Sequence, residues 1–318
     1  MSSLLVLDRG QTAAALRPDA VLDAVGRALV SVARGEVSVP PRIAALTPTG
    51  LLGAMPGYVP GLGLAAKLVT VTADPRHSGR GFHRGLVALF DEHDGRALAL
   101  VDGESLTEVR TAAVATRSAL ALAVRPGLGR VAVVGTGAQA RAQLALLATV
   151  LPEAEVTVAG RDPVRTGTAA MLYPGARVAA GVEEAVREAD VVFCCTGATA
   201  PVVRRGWLAP GVHVSSVGGS HGPELDPGTV RDAALFVEWT GAATAPPPAG
   251  AHELQDLAPG RPVALLGAVL DGGHPGRGGD TDALTVFKST GHAALDVAAV
   301  RVAYDVALER GWGVRVDL

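Results

Sequence analysis

The chain has few of the residues that make bulky cores: aromatics account for 3% of its 318 residues, with only three methionines. Alanine, valine and leucine must therefore fill the interior, and small side chains reach normal packing density only where elements approach closely. Hydrophobic residues still make up 48%, which supports one large or two ordinary domains. The two cysteines, Cys194 and Cys195, are neighbours in an apolar strand pattern. They point to opposite faces, which disfavours a bridge between them and predicts buried, reduced thiols. There is no basic excess: 28 Lys and Arg against 31 Asp and Glu give a net charge of −3. A nucleic-acid partner is thereby disfavoured, because no stripe neutralises a phosphate backbone. No run of eighteen apolar residues occurs, and the first ten residues lack the charged and apolar regions of a signal peptide, so no membrane span and a cytoplasmic location are expected. The eight histidines show no metal-ligand spacing, and no metal is expected.

What the chain does have is glycine, 40 residues of it, and one segment uses it tellingly. Residues 130–147 read RVAVVGTGAQARAQLALL. The apolar run at 131–134 suits a central parallel strand. Gly135 permits a tight turn, Gly137 lets the backbone approach a pyrophosphate, and the following helix attracts that anion with its free amides and dipole. Ala140 stands at the third glycine position, where close helix-to-strand packing needs only a small side chain. Gly135, Gly137, Ala138 and Gln139 are thus candidate cofactor contacts.

A second short strand at 155–159 ends in Gly160-Arg161-Asp162. An acidic residue there would accept from the ribose 2′-hydroxyl of NAD, whereas an arginine accommodates a 2′-phosphate. Arg161, supported by Arg165, points to NADPH as the preferred cofactor, with NADH possible if Asp162 takes the acidic role.

Helical spacing marks residues 17–33, with Pro18 and Asp19 in the first turn. Between 42 and 101 the pattern turns strand-like, at 51–56, 64–72, 85–91 and 96–102, predicting a mostly antiparallel sheet. A helix over about 106–124 follows, closed by 126–129. Strands at 130–135, 155–159, 176–179, 190–195, 211–216 and 234–238 then alternate with helices, the signature of a parallel doubly wound sheet. Residues 240–250 and 272–280 read as surface loops, and a last helix spans 291–309 with Arg310-Gly311 as its cap. The fold class is α/β, a Rossmann-type doubly wound sheet at 124–291 with a mixed α+β domain formed by 1–123 and 292–318.

Two cations stand out in the first domain. Lys67 is a lone ammonium in an apolar strand, so it either faces solvent or meets an anion. Arg110 sits early in a helix among small residues, where it can hold a carboxylate bidentately or form a salt bridge. Arg42 and His83 are further candidates.

These residues carry a resemblance. Lys67, Asp102-Gly103 with Leu106-Thr107-x-x-Arg110-Thr111-Ala112-Ala113, Gly135-Thr136-Gly137-x-Gln139-Ala140, Thr285-Val286-Phe287-Lys288-Ser289-x-Gly291 and Asp296 together resemble the ornithine cyclodeaminase/mu-crystallin family. The resemblance spans nearly the whole chain. It implies a homodimer built through the first domain, to which the terminal helix returns. It also implies that Arg42, Lys67 and Arg110 hold the α-carboxylate of an imino or amino acid, with His83 nearby. Thr196, Val217 and Gly218 join the expected cofactor contacts. In the segment 217–226 the chain departs from the cyclodeaminases, which place an aspartate after the glycine pair; here Ser220 stands there. A hydroxyl cannot take a proton from an ammonium as a carboxylate does, so cyclodeamination is disfavoured and the ketimine-reducing branch is implied. His221 is either a proton donor or an exposed loop residue. The expected activity is NADPH-dependent reduction of a cyclic or α-carboxylated imine. An alanine-type or condensing amino-acid dehydrogenase and a non-catalytic NADPH-binding protein are the alternatives.

Overall fold

A computed structural model describes residues 3–73, 81–219 and 221–317, with the backbone alone at 73 and 81–83. The chain divides into two units, Met1–Arg110 with His292–Leu318, and Thr111–Gly291.

The first unit opens with β1 (Ser3–Val6), α1 (Arg9–Ala15) and α2 (Pro18–Ala33). Asp8 caps α1, accepting from the Gln11 amide at 2.8 Å. Pro18 and Asp19 begin α2 as predicted, and Val21, Leu22, Val25 and Leu29 form its buried stripe. A meander of β2 (Ile43–Thr47), β3 (Gly50–Val59), β4 (Gly63–Ala73), β5 (Gly81–Phe90) and β6 (Ala97–Asp102) follows, antiparallel at every step. The sequence pattern did not separate β2, because all five of its residues are exposed and no alternation marks it. Asp102 then accepts from the Ser105 amide at 2.8 Å and the Ser105 hydroxyl at 2.6 Å, starting α3 (Gly103–Leu122). The units divide inside α3 rather than at its end, since its later turns carry Ala115 and Ala119, which pack in the core of the second unit.

The second unit alternates β7 (Arg130–Val134), α4 (Ala138–Val150), β8 (Glu155–Ala159), α5 (Pro163–Ala170), β9 (Arg177–Val178), α6 (Val182–Arg187) and β10 (Val191–Cys194). It continues through β11 (His213–Ser216), α7 (Pro227–Asp232), β12 (Ala234–Val237), α8 (Gly241–Thr244), β13 (Val263–Leu265), α9 (Leu266–Leu270) and β14 (Thr285–Lys288). The strand order is β13-β12-β14-β11-β10-β7-β8-β9, with every pairing parallel. Strand order reverses beside β7, which pairs with β8 on one edge and β10 on the other. In such sheets ligands bind beyond the carboxyl ends of the strands at that reversal. Strands β13 and β14, of three and four residues, are not among those the sequence pattern marks. Alternate residues supply the two faces: Val134, Val192 and Cys194 pack on one, Val133, Phe193 and Cys195 on the other. Burial raises both thiols well above their ordinary range, so they are inert. The glycine-rich tract near 272–282 is an anchored loop. Arg277 donates to the carbonyls of Leu122 at 2.8 Å and Gly211 at 2.9 Å.

The chain returns to the first unit as α10 (Ala293–Arg310), ended by Gly311 at φ 65°, and β15 (Val314–Asp317). The first sheet is then ordered β15-β1-β6-β5-β4-β3-β2. Helix α10 packs on α2 and on β3 to β5, and its alanines let it lie close. A Cβ added at Gly57 would stand 3.1 Å from that of Ala293. Small residues replace aromatics here as the means of filling the core. Among the described residues, no helix is long and apolar enough to cross a membrane.

Candidate active site

In β4 the residues alternate, Ala65 and Lys67 buried and Leu64 and Leu68 exposed, so Lys67 belongs to the α10 side of the sheet. The solvent-facing alternative for this lysine is overturned, for its exposure is 6%. Its Nζ donates to the Thr107 hydroxyl at 2.6 Å and lies 3.5 Å from Asp296 Oδ1. The Thr107 hydroxyl donates onward to the Gly103 carbonyl at 2.6 Å, which leaves its lone pairs to the lysine. Arg110 Nε donates to the same Asp296 oxygen at 3.0 Å. Of the two roles open to Arg110, the salt bridge is therefore present, and it joins α3 to α10 within one unit.

Burial pushes the Lys67 ammonium down to about 8; Asp296 opposes the fall, while Arg110 and Arg42 add to it. Lysine remains largely protonated at neutral pH. His292, immediately before α10, is lowered to about 4, chiefly by burial, and is neutral there. Arg42 is half-buried, and its charge is felt by both Lys67 and His292. Two buried cations, Lys67 and Arg110, thus share one carboxylate, and the charge of Arg42 is felt at the lysine as well. That excess positive charge suits an anion, and a carboxylate matches the donors in shape. His83 lies on β5 opposite Val71, with its side chain outside the described residues, as Ser220 is altogether.

The second unit builds the dinucleotide turn. Gly135 has φ +123°, and a Cβ there would stand 2.4 Å from the Cys195 carbonyl, so no other residue fits. Gly137 differs. Its φ is −80°, and a Cβ would meet nothing within 4 Å, so the protein itself does not require glycine there. A ligand approaching the backbone would. Gly137 is the N-cap of α4 and offers no side-chain cap, so the first amides of the helix are available to an anion. Ala138 is exposed beside it, and the Gln139 side-chain oxygen is buried without a hydrogen-bond partner among the described residues. Ala140, wholly buried, makes the close helix-to-strand contact. These features fit a pyrophosphate.

At the end of β8, a side chain on Gly160 would collide with Thr136 at 2.5 Å and Thr166 at 2.6 Å. Asp162 is the N-cap of α5, its Oδ1 accepting from the Arg165 amide at 3.1 Å. Arg161 is exposed.

Beyond β10 and β11 the expected contacts Thr196 and Gly218 bond to a buried carboxylate, and the Val217 amide donates to the Cys194 carbonyl at 3.0 Å. Glu224, fully buried, accepts from the Thr196 amide at 2.7 Å, the Thr196 hydroxyl at 2.6 Å, the Ser216 hydroxyl at 2.7 Å and the Gly218 amide at 2.8 Å. Lys288 donates to Ser216 Oγ at 2.8 Å and the Gly218 carbonyl at 2.9 Å, and pairs with Glu253 at 3.0 Å. The polar groups of Thr196 and Gly218 are therefore spent on shaping their loops, and what they can present to a cofactor is backbone surface. His221 is exposed on its loop.

A family model described as ornithine cyclodeaminase/mu-crystallin matches residues 4–311. The chain belongs to that family. It is 35% identical over 262 residues to a ketimine reductase mu-crystallin of Mus musculus, covering 80% of each chain. To a Delta(1)-pyrroline-2-carboxylate/Delta(1)-piperideine-2-carboxylate reductase of Azospirillum brasilense it is 33% identical, covering 98% of this chain and 99% of the relative. Among solved structures, the Delta(1)-pyrroline-2-carboxylate reductase of Thermococcus litoralis, in complex with NADH and L-proline, superposes with a TM-score of 0.85 at 28% identity, over 98% of this chain and all of that one.

In this ornithine cyclodeaminase/mu-crystallin family member, the separated segments that carry the resemblance meet within each unit. Lys67, Arg110 and Asp296 converge in the first, and Lys288 reaches the Gly218 turn in the second. The sequence pattern assigned no role to Asp296, Thr107, Glu224 or Glu253. A signal existed for Asp296, a single carboxylate within the apolar run 293–300. Glu253 gave none, since it sits in a polar loop tract.

Proposed function

We propose that this chain reduces a cyclic or α-carboxylated imine, of the 1-pyrroline-2-carboxylate or 1-piperideine-2-carboxylate type, to the amino acid, preferring NADPH. The chain is a nicotinamide-dependent oxidoreductase acting on C=N bonds, and its homologues named above include reductases of such imines. The observation that carries the finer reading is the buried pair of Lys67 and Arg110 on one carboxylate, with the charge of the half-buried Arg42 felt at the lysine. An imine bearing a carboxylate on the reacting carbon is an anion that this set binds and orients, and fixed orientation supplies much of the rate. When bound, the nicotinamide supplies a hydride to the imine carbon. Lys67, charged at neutral pH, also draws electron density through the carboxylate and nitrogen that it faces. A proton and a hydride together saturate the C=N bond, and the nitrogen can arrive already protonated. Ser220 in place of an aspartate supports reduction over cyclodeamination.

NADPH is favoured by elimination at the end of β8. Gly160 has no room for an acidic side chain, and one oxygen of Asp162 is committed to capping α5. Arg161 is then the residue left to meet the 2′ position, where a guanidinium suits a phosphate. The test is NADPH and NADH oxidation at 340 nm with both cyclic imines, and with pyruvate plus ammonia. Turnover of a cyclic imine with kcat/KM at least tenfold higher for NADPH is expected. Turnover only of pyruvate with ammonia would make it an amino-acid dehydrogenase, and a preference for NADH would remove the role given to Arg161.

The assembly we expect is a homodimer through the outer face of the first sheet. Ile43, Leu52, Leu64, Leu68 and Leu86 are 37–69% exposed. The strand register puts them on the face opposite Lys67. A contiguous apolar sheet face of this kind marks an interaction surface. Light scattering should give twice the chain mass, and Leu68→Asp with Leu86→Asp should halve it while leaving the circular dichroism unchanged. A monomeric wild type would sink the assignment.

A further inference from the structure

We infer that Asp296 is a positioning residue: one of its oxygens holds Lys67 and Arg110 together and keeps the lysine charged for the substrate carboxylate. The inference takes the role of Lys67 from the function proposed above.

The geometry is specific. Oδ1 alone receives Arg110 Nε at 3.0 Å and stands 3.5 Å from Lys67 Nζ. Both cations and the carboxylate are almost fully buried, so the interactions are little screened. The surroundings of Lys67 give Asp296 its importance. Thr107 and Arg110 come from α3, Asp296 from α10, His292 from the residue before it, and Arg42 from the segment preceding β2. Its partners across the sheet are Met55 on β3 and Val87 on β5, which carry no charge. Among these described groups Asp296 is the sole anion. Burial, Arg110 and Arg42 all favour the neutral amine, and only Asp296 opposes them; the balance places Lys67 at about 8. Its second oxygen, Oδ2, is buried with no hydrogen-bond partner among the described residues, so the carboxylate is not retained for structural hydrogen bonding on that side.

The sign of the effect follows. Replacing Asp296 by the isosteric amide removes the one charge that raises the lysine, so the proton leaves at lower pH. An opposite charge at this distance is worth about one unit or more. A one-unit fall lowers the protonated fraction of Lys67 at pH 8 from about one half to about one tenth.

The test uses full-length protein, with whichever of NADPH or NADH the kinetic assay selects, and pyrrole-2-carboxylate as probe. Its ring nitrogen does not titrate near neutrality, so any change in affinity with pH reports the protein. Calorimetric titrations from pH 6 to 9 should show wild-type affinity falling above about pH 8. In Asp296→Asn the same fall should begin about one unit earlier, with the two proteins within a fewfold of each other at pH 6. Adding Lys67→Arg to that variant replaces the ammonium by a group that does not titrate in this range, and should abolish the fall. Parallel profiles, with the variant uniformly weaker, would overturn the inference and leave Asp296 a packing residue. Should Asp296→Asn fail to fold, Asp296→Glu moves the charge by one methylene, and an unshifted profile there would overturn it equally. Binding needs no turnover, so a protein that reduces no imine but shows the shifted profile loses the proposed function and keeps this role. Absence of binding by the wild type at every pH would overturn both.

Discussion

Lys67→Met is expected to lower kcat/KM for the cyclic imine by roughly a thousandfold, with most of the loss remaining when substrate saturates. Removing one member of a buried, hydrogen-bonded charge pair costs about 2–5 kcal/mol. At about 1.4 kcal/mol per tenfold, that corresponds to some thirtyfold to several thousandfold. The upper part of that range applies because the lysine is almost fully buried, so the carboxylate that the proposed function sets against it would be little screened. Methionine fills a similar volume with an apolar chain, so the variant isolates charge from packing. Asp296 keeps Arg110 as its partner at 3.0 Å, which limits the damage to the fold. Thermal unfolding should therefore move little. Steady-state kinetics beside a melting curve decide the matter. Activity within a fewfold of wild type would remove Lys67 from the reaction, and a collapsed melting temperature would mean that its role is structural. Lys67→Arg is not expected to rescue, because a planar fork cannot reproduce a point charge held by Thr107 at 2.6 Å.

The same lysine shows how far a sequence can be read. A lone charge in an apolar strand must either face water or find an anion, and that dilemma is visible without a structure. Its resolution is not, because the anion is 229 residues away on α10. Three lone charges in apolar elements, Lys67, Lys288 and Asp296, could have been recognised as a set that must pair. Which pairs with which depends on topology: Lys67 meets Asp296, while Lys288 meets Glu253 and the Gly218 turn. The long periodic elements were legible because burial imposes alternation over many residues, as in β4 and α2. Strand β2 was not, because it is exposed throughout and carries no period, and β14 was not, because polar Thr285 and Lys288 leave only two apolar residues between them. The glycine turn was legible in type, since backbone constraints leave a residue-level trace. The distinction between its two glycines was not, because it rests on what a side chain would meet.

That distinction yields the other large effect. Gly135→Ala and Gly137→Val, two residues apart, should fail in opposite ways. At Gly135 the new Cβ would need a positive φ and would stand 2.4 Å from the Cys195 carbonyl. The conformational strain alone is about 1–3 kcal/mol, and the backbone contact adds to it. The protein should melt several degrees lower, with cofactor affinity falling only as the turn distorts. At Gly137 φ is already in the range of any residue, and no protein atom lies within 4 Å of the new Cβ. Its melting temperature should hold within a degree or two. Dinucleotide affinity should fall by about ten- to a hundredfold for NADPH and NADH alike, because each amide bond to a charged phosphate is worth about 1.5–3 kcal/mol and the side chain holds the phosphates off. Fluorescence titration of the reduced cofactor, set beside the melting curves, separates the two. A Gly137→Val protein that binds dinucleotide normally would show that the uncapped start of α4 is not where the pyrophosphate rests. If it both melts early and binds poorly, the glycine serves the fold rather than the cofactor.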